Sequence, residues 1–270
     1  MNKLESAISE FSLLEEQAGE DTPLNNKPAL LKLLLTIWFI LLTVSFDKYD
    51  LLGLLSMGIY PLVLFLLYDI PFLRCLKRIR LILPFIILAG MVNPFFDKSV
   101  IAVAGDIRIS GGMISMFTLM LKGFLTVFAG YLLIVSTSIE KICGALLKLH
   151  VPSLIVTMIL LIYRYLSLLL IETNRVMQAY RLRAPGQKGV QIKAWGSFAG
   201  LLLLRSMDRA ECVYESMCLR GFERNRNAFQ YAVRDKIKTG EYVWFLLWAA
   251  GLLFLRRFPL FTAVGDLFLP

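Results

Sequence analysis

Residues 29–46 (ALLKLLLTIWFILLTVSF) and 51–68 (LLGLLSMGIYPLVLFLLY) are two apolar runs of 18 residues, parted only by Asp47-Lys48-Tyr49-Asp50. A bilayer core about 30 Å thick needs roughly 20 apolar residues per helical span, and inside it every backbone polar group must find a partner within the segment. Two such runs joined by four residues can only form an antiparallel helical pair. Further apolar segments lie near 79–92, 113–136 and 242–258, and 57% of the chain is hydrophobic against 18% charged. That balance is foreign to a water-soluble domain of 270 residues. The expected fold class is an all-α integral membrane protein with about five transmembrane helices and a cytoplasmic domain of amphipathic helices. Four spans fall in 29–136, the cytoplasmic domain in 137–241 and the last span in 242–270.

Residues 1–28 form a polar, acidic tail with Glu5, Glu10, Glu15, Glu16, Glu20 and Asp21, and they lack the apolar stretch of a cleavable signal peptide. Pro61 and Pro84 are expected to bend their helices. Arg74, Lys77, Arg78 and Arg80 place the loop between the second and third spans on the cytoplasmic side, while the charges of 93–112 cancel, as suits an external loop. The N-terminus is then cytoplasmic. Segment 153–171 is long enough to span. A span there would carry Arg175, Arg181, Arg183, Lys188 and Lys193 outward, and would hold Arg164 mid-membrane at about 3 kcal/mol, so a helix packed under the membrane is expected. Arg256 and Arg257, at the outer end of the last span, count against this topology.

The net charge of +9 resides beside apolar runs, which points to the lipid bilayer and its headgroups rather than to nucleic acid. Arg205, Arg209, Arg224 and Arg226 read as such a solvated or headgroup-facing set. Cys75, Cys143, Cys212 and Cys218 have no C-x-x-C spacing and read as reduced thiols. The single histidine, His150, is too few ligands for a transition-metal site and would have to serve any catalytic triad. No G-x-x-x-x-G-K-[ST] is present, so ATP hydrolysis by this chain is not expected.

Chemistry of another kind gathers at two helix ends. In 205–221, Ala210, Val213, Tyr214, Met217 and Gly221 share a stripe at helical spacing, with Arg209, Ser216 and Arg220 alongside. In ETNRVMQAYRLRAPG (172–186), Ala179 precedes Arg183 by one turn, and Ala184 and Pro185 follow. Both segments place a small residue one turn before an arginine and stop there. Small residues admit a close surface, and the guanidinium offers five donors in a rigid fork. A cation near a helix C-terminus also suits the macrodipole without any partner, worth about 0.3–1 kcal/mol.

These residues resemble the transmembrane T component of energy-coupling factor transporters, the EcfT/CbiQ family, whose two cytoplasmic helices each end in an Ala-Arg-Gly-like signature. Here the signatures are Ala179, Arg183, Ala184 and Ser216, Arg220, Gly221, with Ala184 in place of the usual glycine and Ser216 in place of alanine. NPFFD (93–97), ISGGM (109–113), LHVP (149–152), 163–189 and LLLRSMDRAE (202–211) extend the resemblance over about residues 28–225. NPFFD, LHVP and RLRAPGQKG are most similar to the cobalt-type CbiQ branch; a vitamin-transporting T component is the alternative. The remote rival is a stand-alone membrane enzyme or channel, which would need an intramembrane carboxylate set or a nucleophile.

The resemblance implies a multi-pass, non-catalytic coupling subunit of a bacterial or archaeal cell membrane. Its partners would be a CbiO-like pair of ATP-binding-cassette ATPases and a CbiM-like substrate-capture subunit, with or without a CbiN-like companion. ATP and Mg²⁺ would bind the ATPases and Co²⁺ or Ni²⁺ the capture subunit, leaving no cofactor in this chain. Arg183 and Arg220 would be anchors, Ala184 and Gly221 would permit close approach, and Met217 would pack into an ATPase groove.

Overall fold

A computed structural model of the chain describes residues 25, 27–67, 80, 82–96, 100–104, 107–183, 191–222 and 238–257. Among these are ten helices: α1 Ala29–Val44, α2 Leu51–Met57, α3 Ile59–Leu67, α4 Leu83–Met91, α5 Asn93–Phe96, α6 Gly111–Ser136, α7 Ile139–Lys148, α8 Ser153–Arg183, α9 Ile192–Leu219 and α10 Thr239–Arg257. The fold is that of an all-helical membrane protein, with one exception inside the segment expected as a plain loop. There β1 (Val100–Ala104) and β2 (Ile107–Ser110) form an antiparallel hairpin that pairs Val100 with Ser110 and Ala104 with Ile107. The chain divides into two compact units, one holding the described residues up to Thr137 together with α10, the other those from Ser138 to Phe222.

In the first unit, helices α1, α2–α3, α4, α6 and α10 alternate in direction. Lys32, at the start of α1, meets the last carbonyl of α6 at Ser136, while Lys122 reaches back to the Val44 and Phe46 carbonyls at the end of α1, so these two helices are antiparallel. Lys27 lies 5.8 Å from the Trp244 ring, and Arg256 donates to Ser45 Oγ at 3.0 Å, so α10 runs parallel to α1. Arg256, which told against the expected topology, is thus engaged at the α1 C-terminus, where a cation complements the helix dipole. It also lies over the Phe46 ring, 5.6 Å from its centre.

The core of this unit is aromatic and aliphatic. Phe39 stacks on Tyr60 at 4.8 Å, Tyr60 meets Trp248 edge-on, and Phe65 meets Phe128 edge-on. Leu54, Met57, Leu125, Leu132 and Leu252 complete it, all nearly inaccessible. Packing of this kind is what holds membrane helices together once lipid has removed the hydrophobic drive between them. Helix α4 approaches α6 through glycines: a Cβ on Gly90 would lie 2.9 Å from Met120 Cγ, and one on Gly123 3.1 Å from Ile86 Cγ2.

The prolines act differently from one another. Pro61 has no N–H to offer the Met57 carbonyl, and α2 ends on Met57, with Gly58 as the break before α3. Pro84 does not bend a helix as expected. It lies in the first turn of α4, which starts at Leu83, where a missing N–H costs nothing.

The second unit is built from α7, α8 and α9. Glu140 in the first turn of α7 and Lys148 in its last both suit the dipole. Helix α7 ends at His150, whose φ is +63°; His150 N–H bonds to Leu147 O and Val151 N–H to Leu146 O, the paired bonds of a Schellman ending. Helices α8 and α9 are antiparallel neighbours: Glu172 pairs with Arg205, and Tyr180 meets Phe198 at 5.7 Å. By length and composition, α6 and α8 are each sufficient to cross a membrane, while α1 and α2–α3 are shorter apolar helices.

Candidate functional site

Of the stripe read from the sequence of helix α9, Val213 and Met217 are half-buried, whereas Ala210, Tyr214 and Gly221 are exposed, as are Ser216 and Arg220 alongside it. Part of the Met217 surface is therefore covered within the chain. Ser216 donates to the Cys212 carbonyl one turn back at 2.7 Å, which satisfies its hydroxyl without any partner.

The end of α9 is a complete Schellman motif. Arg220 is the cap residue, Gly221 follows with φ +81°, Gly221 N–H bonds to Cys218 O at 2.9 Å and Phe222 N–H to Met217 O at 3.0 Å. Gly221 is glycine because of this backbone conformation, since a Cβ placed there meets nothing within 4 Å. The described residues leave the outer surface of this helix end open.

Helix α8 carries Ala179 and Arg183 to its last residues, both exposed. Ala184 lies outside the described residues, as do Cys75, Arg224 and Arg226. Among the described residues neither Arg183 nor Arg220 takes part in an ion pair, so both guanidinium groups are presented to the surroundings.

The ion pair and the ring contact fix where these ends lie relative to each other. Residues 172 and 180 of α8 face 205 and 198 of α9. From the level of the Glu172–Arg205 pair, Arg183 lies about 16 Å along α8, and Arg220 about 22 Å along α9 in the opposite direction, at 1.5 Å rise per residue. The two arginines thus lie toward opposite ends of the α8–α9 pair and do not form a common pocket.

Arg205 is exposed, consistent with a solvated or headgroup face, and from there it also pairs with Glu172. The only trace in the sequence is that Glu172 is the sole acidic residue of 153–186. His150 is exposed and occupies a left-handed backbone position at a helix end. Among the described residues no three His, Cys, Asp or Glu side chains come together as a metal site. Asn93 of NPFFD also has a structural role, donating from Nδ2 to Ser115 Oγ of α6 at 2.9 Å.

The all-helical membrane fold, together with the likenesses that follow, makes this a membrane component of a transporter. The chain belongs to the CbiQ family, described as cobalt transport protein, which it matches over residues 20–231. It is 27% identical over 236 residues to the energy-coupling factor transporter transmembrane protein EcfT of Ruminiclostridium cellulolyticum, covering 80% of this chain and 88% of that one. It is also 28% identical over 220 residues to an uncharacterized protein of Methanocaldococcus jannaschii, covering 77% of this chain and 73% of the relative.

Proposed function

We propose that this chain is the coupling subunit of an energy-coupling factor importer for Co²⁺ or Ni²⁺, passing the motion of partner ATPases to a substrate-capture subunit. The observation that carries the proposal is the pair of exposed arginine-bearing helix ends toward opposite ends of the α8–α9 pair. Two ends held about 39 Å apart along the helix axes suit two copies of one partner, which is what an ATP-binding-cassette dimer offers. Arg183 and Arg220 anchor the two ATPases, Ala184 and Gly221 leave room for their surfaces, and the exposed part of Met217 enters a groove. ATP and Mg²⁺ belong to the ATPases.

On this proposal α1, α2–α3, α4, α6 and α10 are the spans, the N-terminus is cytoplasmic, and the unit from Ser138 onward is the cytoplasmic coupling domain. The alternation of direction in the first unit and the division of the chain at Ser138 support that assignment. Preference for a metal over a vitamin rests on the family's description and on the similarity of NPFFD, LHVP and RLRAPGQKG to the cobalt branch.

ATPase closure would draw the two ends together or apart, and because each end belongs to one unbroken helix, displacement at a tip becomes rotation of the whole pair. The test is co-purification from detergent. The wild-type chain should bring down ATPases, while Arg183→Glu and Arg220→Glu, which set a like charge against the acceptors of a partly desolvated groove, should lose about 2 to 5 kcal/mol of that association. Full ATPase recovery with both variants, each present normally in the membrane, removes the anchors from the mechanism.

A further inference from the structure

Lys32 is a buried cation that the proposed mechanism does not use. It lies one turn into α1, is 4% exposed, and donates from Nζ to the carbonyl of Ser136, 104 positions away. Ser136 is the last residue of α6, so its carbonyl is one of those a helix end leaves without an intrahelical partner, and it carries the negative end of the dipole. Thr36, Ser136 and Thr137 are buried beside it, and the Thr36 hydroxyl donates to the Lys32 carbonyl at 2.8 Å.

Burying an ammonium inside a membrane bundle is costly, and an apolar side chain of similar length would fill the same space without that penalty. Packing alone therefore does not account for lysine. The location does. Only Thr137 and Ser138 separate α6 from α7, and Ser138 already accepts from Ile142 N–H in the first turn of α7. A two-residue joint has little slack, so a turn of α7 pulls directly on the Ser136 carbonyl. A small cavity lined by Lys32, Thr36, Tyr60, Ser136 and Trp244 gives the joint room to shift if nothing holds it.

We propose that Lys32 is a positioning residue for transport: its ammonium, seated on the Ser136 carbonyl, clamps the α6–α7 joint to α1, so that motion of the unit beginning at Ser138 reaches the bundle instead of being absorbed at the joint. This rests on the coupling function proposed above.

The experiment compares wild type with Lys32→Met in the complete transporter, reading amide hydrogen exchange over residues 137–145 and metal taken up per ATP hydrolysed. Loss of a charge-assisted bond should speed exchange in that segment by about tenfold and leave 51–57 unchanged. Uptake per ATP should fall several-fold while the complex stays assembled. If Lys32→Met does not accumulate, Lys32→Gln, which keeps a neutral donor one atom shorter, should show the same pattern in weaker form. Unchanged exchange at the joint overturns the clamp, and faster exchange with a normal uptake ratio overturns its role in transport. Failure of the coupling function itself is seen separately, as absence of ATPases from the wild-type preparation.

Discussion

Glu172 of α8 and Arg205 of α9 form an ion pair that joins the two long helices of the second unit between the levels of their arginine-bearing ends. Its side chains are partly exposed, 27% and 50% respectively, so its worth in folding is small, about 0 to 1 kcal/mol. Its effect on geometry is larger, because with the Tyr180–Phe198 contact it sets the angle between α8 and α9, and Arg220 lies about 22 Å from it along α9. Glu172→Gln should lower unfolding stability by less than about 1 kcal/mol. It should also broaden the distance distribution between spin labels at Leu182 and Leu219, both exposed beside the two anchors. The swap Glu172→Arg with Arg205→Glu should restore the narrow distribution. An unchanged distribution in Glu172→Gln would show that the ring contact of Tyr180 and Phe198 sets the angle alone.

The same unit holds three native thiols with different prospects. Cys212 and Cys218 are exposed, whereas Cys143 is buried on α7, and burial followed by the charge of Glu140 raises its pKa. Thiolate is the reactive form, so a raised pKa means less of it at any given pH. Maleimide should modify Cys212 and Cys218 quickly near neutral pH and Cys143 slowly, with the Cys143 rate still climbing above the pH at which an ordinary thiol levels off. Mass spectrometry of the labelled α7 peptide gives the answer; Cys143 reacting as fast as Cys212 at neutral pH would mean that α7 opens readily.

Sidedness follows from Arg175, Arg181, Arg183, Lys188 and Lys193, which a spanning α8 would carry outward. A cysteine at Lys188, in a background without native cysteines, should resist an impermeant thiol reagent in intact cells, and one at Lys98 should react. This matters because α8 has the length and composition to cross a membrane. Labelling at Lys188 from outside would make α8 a sixth span and end the coupling-domain proposal.

What could be read in the sequence divides along physical lines. The helices of the first unit were legible because an apolar run of bilayer length has few other folds, and observed α1 and α6 begin within two residues of expectation. The α9 ending was legible because glycine after an arginine at the close of a periodic stripe is a strong stop signal. Partners were not. Helical periodicity gives a residue's face but not which helix covers that face, so neither Glu172–Arg205 nor Lys32–Ser136 could be derived. His150 shows another limit, since a left-handed backbone at a non-glycine residue leaves no compositional trace. Pro84 fails for a related reason: a proline inside an apolar run looks the same whether it kinks a helix or starts one.

The last expectation separates two reasons for glycine at position 221. The left-handed backbone, φ +81°, is a property of the chain, whereas room for a partner surface is a property of the assembly. Gly221→Ala should cost about 1 kcal/mol, the penalty of a Cβ in that conformation, because no atom of the described residues stands within 4 Å of it. Gly221→Asn should cost less than alanine in folding, since asparagine tolerates the left-handed region, yet its side chain is bulkier toward any docked surface. Gly221→Val is worse on both counts. If only the backbone matters, uptake normalised to membrane protein level should fall in the order asparagine, alanine, valine, following stability. If an ATPase surface approaches closely, asparagine should instead fall below alanine in uptake and in ATPase co-purification while remaining the more stable. Full activity of the valine variant would reduce the Arg220-Gly221 ending to a helix stop without any part in coupling.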